Sequence, residues 1–63
     1  MKKLRRYRRE KGLSQTELAE AIGVNQSNIC RWERGGYLPN AAQVAALIRI
    51  FERSEAELFE DEV

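Results

Sequence analysis

The sequence predicts an all-α fold, a compact five-helix domain in which residues 1–63 form a single unit. Three observations carry this expectation. Apolar residues recur three and four apart, as on one face of a helix, rather than in the alternation of a strand. Gly12, Gly23, Gly35-Gly36 and the single proline, Pro39, fall between these stretches and punctuate them. Two runs, Ser14 to Glu17 and Ser54 to Glu57, are capping boxes that open helices.

Taken in order, Leu4, Tyr7 and Arg8 share one side of a first helix that Gly12 ends. Ser14 opens a second helix, in which Leu18 and Ile22 lie four apart with Ala19 beside them. Gly23 then supplies the left-handed conformation that stops it. Val24 separates that glycine from Asn25, an N-cap type, and Ile29 and Trp32 continue a third helix as far as Gly35. A fourth follows Pro39 and Asn40, with Val44, Leu47, Ile48 and Phe51 at the spacing of a buried stripe. Ser54 opens a short fifth helix contributing Leu58 and Phe59, and an acidic tail runs from Glu60 to Val63.

Composition excludes several function classes. Cys30 is the only cysteine and histidine is absent, so neither an intramolecular disulfide nor a Cys/His zinc site can be assembled. The same lack, with no glycine-rich phosphate loop, argues against acid–base, nucleophilic or nucleotide chemistry, and no cofactor is expected. The longest apolar stretch, Ala41 to Ile48, is broken by Gln43 and falls far short of the roughly 20 residues of a membrane span. No secretory signal is read at the N-terminus, so a cytoplasmic protein is expected. The net charge of +1 hides an asymmetry: residues 1–34 hold nine Lys/Arg against four Glu, whereas residues 35–63 hold two Arg against six Asp/Glu. A basic first half points to a nucleic-acid face or, more blandly, to solvated helix surface.

The second and third helices satisfy the demands of a helix-turn-helix over residues 15–34. One helix braces across the DNA backbone while the other lies in the major groove, so the two cross closely at a fixed angle. Ala19 is small where the helices touch, Gly23 takes the turn, and Leu18, Ile22, Val24, Ile29 and Trp32 supply the shared core. A glycine-turned helical corner also occurs in proteins that never meet DNA. The outward face separates the two readings. At 100° per residue, Ser27, Arg31 and Arg34 point away from Ile29 and Trp32, with Cys30 beside them and Gln26 in the exposed first turn. Arginine can bond guanine, and glutamine adenine, through two hydrogen bonds.

At these positions the chain resembles the lambda-repressor-like family, the phage repressor and Cro type of helix-turn-helix domain. The likeness covers about residues 3–59. It runs through Arg8-Arg9-Glu10-Lys11-Gly12-Leu13-Ser14-Gln15, Glu17-Leu18-Ala19, Ile22-Gly23-Val24, Ile29, Trp32-Glu33-Arg34-Gly35, Pro39 and Leu58-Phe59. The resemblance implies a transcriptional regulator that binds double-stranded DNA as a homodimer on a palindromic operator. It implies that Gln26, Ser27 and Arg31 read bases. Gln15, Asn25, Asn28, Arg34, Gly35 and Gly36 would sit against the sugar–phosphate chain, positioning rather than specifying. It also implies a structural ion pair between Arg8 and Glu33, and the residues agree, since Arg8 shares the side of its helix with Leu4.

The chain departs from the family at Glu52 and Arg53, where a glycine and an apolar residue usually end the fourth helix, and at Glu55, often apolar. The loop Gly36-Tyr37-Leu38, often basic in the family, promises fewer phosphate contacts, and Tyr37 with Leu38 reads instead as a protein interface. Leu38, Ile50 and Phe59 are the candidates for a dimer contact, which a small core leaves weak off DNA. Trp32 reads as core and Cys30 as an inert thiol, with base stacking and a redox switch as the sharper alternatives. Lys2, Lys3, Arg5, Arg6 and Arg9 are phosphate ligands or a solvated face; the tail is a solubilising segment rather than a cation site or a phosphate mimic. Neither an effector domain nor a small-molecule ligand is expected. A second function stays open: an antitoxin-type interaction module that neutralises a partner protein and regulates its own operon.

Overall fold

The computed structural model describes residues 1–60, as five helices: α1 (Lys2–Glu10), α2 (Gln15–Ile22), α3 (Gln26–Arg34), α4 (Ala41–Phe51) and α5 (Glu55–Leu58). Most of the expected acidic tail, Asp61 to Val63, lies outside the described residues, while its first residue, Glu60, pairs with Lys3 at 3.0 Å. Among the described residues no helix is long and apolar enough to cross a membrane.

Local chemistry sets the ends of these helices. Ser14 Oγ accepts from the Glu17 N–H at 3.0 Å and Glu17 Oε1 accepts from the Ser14 N–H at 2.8 Å, so two otherwise orphaned donors are satisfied. Ser54 and Glu57 repeat the arrangement at α5. So do Asn40 and Gln43 at α4, a third box whose Asn-x-x-Gln spacing is legible in the sequence but less conspicuous than the Ser-x-x-Glu pairs. Asn25 differs. It takes the extended backbone of an N-cap, yet its side chain makes no capping bond and stays exposed.

All five helices meet in one core. Leu4 of α1, Leu18 of α2, Ile29 of α3, Leu47 of α4 and Leu58 of α5 are completely buried, and Tyr7, Ala19, Trp32 and Phe51 join them. Trp32 is therefore a core residue: it is 1% exposed, and its Nε1 has no hydrogen-bond partner among the described residues. Met1 also enters the core, which no periodicity could have announced for a residue preceding the first helix. Ile22 and Val24, expected as core, are half-buried at its edge together with Leu13, Ile48, Ile50 and Phe59. Positions at the lip of a small domain cannot all be covered.

α2 and α3 pack closely, and α1 lies against α3. The turn between α2 and α3 needs its glycine. Gly23 sits at φ +86°, and its N–H and that of Val24 both bond the Ala19 carbonyl, at 2.8 and 3.0 Å. Gly35 closes α3 with the same φ, its N–H bonding the Arg31 and Trp32 carbonyls.

Candidate nucleic-acid interface

The face of α3 turned from the core carries Gln26, Ser27, Arg31 and Arg34, all exposed, with Asn28 and Cys30 half-buried along its flanks. Helical geometry produces this division: Ile29, Trp32 and Glu33 occupy the buried side, and the residues between them necessarily look outward. Asn25 stands exposed just before the helix, and Gly35 and Gly36 stand exposed just after it.

A chain of hydrogen bonds ties this outer face to the interior. Arg8 Nε donates to Glu33 Oε2 at 2.7 Å, Arg8 Nη2 donates to Oε1 at 3.4 Å, and Arg8 Nη1 donates to the Leu13 carbonyl at 2.8 Å. Both side chains are at least nine-tenths buried. The pair thus links α1 to the last turn of α3, and its fork geometry leaves neither partner exposed to a polyanion. Gln15, the first residue of α2, continues the chain: its Nε2 donates to Glu33 Oε1 at 3.0 Å, and its Oε1 accepts from Gln26 Nε2. One connected network therefore runs from α1 through the ends of α3 and α2 to the first turn of α3.

Gln15 and Gln26 are thereby held in place before any ligand arrives. Each amide nitrogen has two hydrogens, so each retains one donor after these bonds, and Gln26 also retains its carbonyl oxygen. The sequence sets Gln26 in the exposed first turn of α3 and the family resemblance sets Gln15 against phosphate, but neither indicates that the two side chains touch. Residues eleven and eighteen apart on different helices leave no local spacing to read.

The basic residues of α1 divide into two groups. Lys3 pairs with Glu60, and Arg6 pairs with Glu10 one turn on, at 3.5 Å, so these charges are partly met within the fold. Arg5 instead lines an open groove of about 270 Å³ with Arg8, Gln15, Cys30, Glu33 and Arg34. That three arginines line one groove with Cys30 is not foreseeable from its own segment, where Arg31 is the adjacent cation. Of the residues expected to join two copies, Leu38 is 56% exposed, whereas Ile50 and Phe59 are half-buried against the core. Tyr37 is as exposed as Leu38, and the Arg31 guanidinium lies over its ring.

Two short helices crossing at a glycine turn, with the second offering a polar and basic outer face, define a helix-turn-helix protein. The chain belongs to a lambda-repressor-like helix-turn-helix domain family, whose model matches residues 2–60. It is similar to a protein of Methanothermobacter thermautotrophicus named an uncharacterized HTH-type transcriptional regulator. The two are 37% identical over 54 residues, which cover 86% of this chain and 78% of the relative. A protein of Archaeoglobus fulgidus with the same name is 32% identical over 57 residues, covering 90% of this chain and 81% of its own. No solved structure matches the chain significantly.

Proposed function

We propose that this protein is a sequence-specific DNA-binding regulator of transcription, of the repressor or Cro type, acting as a two-fold pair on a palindromic operator. The observation that carries the proposal is the pre-set outer face of α3, in which the Arg8–Glu33–Gln15–Gln26 network fixes the first turn while Ser27 and Arg31 remain open. Gln26, Ser27 and Arg31 read base edges in the major groove. Gln15, Asn25, Asn28, Arg34 and the Gly35-Gly36 backbone meet the sugar–phosphate chain, and Arg5 joins them from the groove it shares with Gln15 and Arg34.

Size supports the pairing. The longest dimension of the molecule is 27 Å. Successive major-groove faces on one side of a duplex lie roughly 34–36 Å apart. One copy therefore presents one reading helix to one groove, and reading two half-sites takes two copies. Leu38, Ile50 and Phe59 supply the contact between them, which is weak without DNA because two of the three are already half-committed to the core. Occupying a promoter in this way excludes polymerase, and repression follows without an effector ligand.

Selection of bound sites from random duplex DNA tests this reading. Half-sites about one helical turn apart are expected, and unpaired single sites overturn the two-fold arrangement. Arg31→Ala should relax discrimination at one base pair per half-site and cost about 1–3 kcal/mol there. Equal weakening on every sequence, with a shallower salt dependence, would instead make Arg31 a phosphate ligand.

A further inference from the structure

The loop after α3 carries an aromatic residue that packing does not explain. Tyr37 is 56% exposed and takes no part in the buried core. It is placed by the turn at Gly35. Two residues beyond the left-handed Gly35, Tyr37 lines one open groove with Asn28 and Trp32 of α3. Its ring lies beneath Arg31, with the guanidinium carbon 5.9 Å from the ring centroid. That distance is within the range of about 6 Å over which an aromatic face attracts a cation.

We propose that Tyr37 is a positioning residue for base recognition, holding the Arg31 guanidinium on the reading face so that its in-plane donors reach a guanine edge. This role rests on the assignment of Arg31 to a base. The contact suits this role, because attraction to an aromatic face consumes none of the five N–H donors of the guanidinium. A hydrogen-bonding partner would consume some of those donors. An exposed arginine otherwise samples many rotamers, and restricting them before binding lowers the ordering cost of the complex. Gln26 is held by Gln15 at the start of the helix, and Tyr37 does the corresponding work near its end, through a face rather than through a hydrogen bond.

The experiment compares Tyr37→Phe and Tyr37→Leu, each with and without Arg31→Ala, on the selected operator and on operators changed at single base pairs. Phenylalanine keeps the aromatic face and should bind like the native protein. Leucine keeps bulk without the face, and should lose about two- to five-fold in affinity, the binding equivalent of an exposed cation–π contact. That loss should fall on the base pair at which Arg31→Ala relaxes discrimination, and should vanish in the Arg31→Ala background. In the free protein, proton resonances of the Arg31 side chain should move out of the ring-current field when leucine replaces tyrosine. Melting curves of Tyr37→Leu and the native protein should coincide, since the position is exposed.

An equal loss in both backgrounds overturns the proposal, as does a phenylalanine variant as damaged as leucine, which would assign the phenolic hydroxyl to a phosphate. A change in dimerisation alone would return Tyr37 to a protein interface. If Arg31→Ala weakens every sequence equally, the base-reading assignment fails and this role with it. If Arg31→Ala relaxes one position and Tyr37→Leu leaves that position unchanged, only the role of Tyr37 fails.

Discussion

The links between α2 and α3 and between α4 and α5 have nearly the same design on the backbone. Each is three residues long. Each begins with a residue in the left-handed region, Gly23 at φ +86° and Glu52 at φ +53°, and each ends on an extended N-cap, Asn25 or Ser54. The side chains that hold the two corners have little in common. The first corner is held from within, by Leu18, Ala19, Ile29 and Trp32 and by the buried Arg8–Glu33 pair. Its N-cap side chain is left unbonded. The second shares the core through Leu47, Phe51 and Leu58 and is held from outside as well: Ser54 is in a full capping box, and Arg53 lies over Tyr7, 4.4 Å from the ring centroid, while pairing with Glu10 at 3.2 Å and Glu57 at 3.3 Å. An outer face proposed to meet DNA leaves the rigidity of the first corner to the interior. At the second corner the surface groups bond one another instead.

The largest expected effect tests the inner corner. Removing one partner of a buried pair costs about 3–5 kcal/mol, because the other charge is left without compensation. A domain of this length has about 3–9 kcal/mol of stability in total. Glu33→Ala should therefore leave the protein largely unfolded or melting far lower, by circular dichroism against temperature, with the buried Arg8 charge uncompensated and Gln15 short of one partner. An unchanged melting curve would show that the apolar contacts of α2 and α3 fix the corner unaided, and the contrast between the two corners would collapse.

How much of this was legible in the sequence follows from the range of each interaction. Helix starts were readable at Ser14 and Ser54, because a capping box is complete within four residues, and helix ends at Gly12, Gly23 and Gly35, because a positive φ selects glycine locally. Glu52 shows the reverse case. A glutamate in the left-handed region carries no local signature, and only the comparison with the family pattern marked the position as unusual. Arg8 and Glu33 lie 25 residues apart and were paired by resemblance and by the helical face of Arg8, not by spacing. The Gln15–Gln26 contact, the Arg31–Tyr37 contact and the path of Arg53 back to Glu10, 43 residues away, had no such help. Each depends on tertiary placement of a long flexible side chain.

Relieving the backbone of the outer corner should sharpen the comparison with a smaller effect of opposite sign. A non-glycine residue in the left-handed region carries a strain of about 1–2 kcal/mol, which glycine avoids at some cost in unfolded-state entropy. Glu52 gives up little else, since its pair with Lys11 is exposed and 3.5 Å long. Glu52→Gly should stabilise the protein by about 0.5–1 kcal/mol, a rise in melting temperature of several degrees at about 4–8 °C per kcal/mol. A fall would mean that the Lys11 pair, and not the backbone, governs the end of α4.

The smallest effect concerns the acid side of the outer corner. The Ser54 N–H, followed by the Arg53 guanidinium, holds the Glu57 carboxyl below its ordinary value of 4.5. A carboxylate lowered in the folded state adds stability that is complete above that ordinary value and is lost as pH falls through the lowered folded value. Glu57→Gln isolates the contribution, because glutamine can still close a capping box while carrying no charge. Melting temperatures of the two proteins should converge in acid well below pH 4.5 and separate, native above variant, as pH rises toward neutrality. Because the group is exposed, added salt should narrow the separation. Salt has no such access to the nine-tenths-buried Arg8–Glu33 pair, so the inner corner should keep its stabilisation under conditions that weaken the outer one.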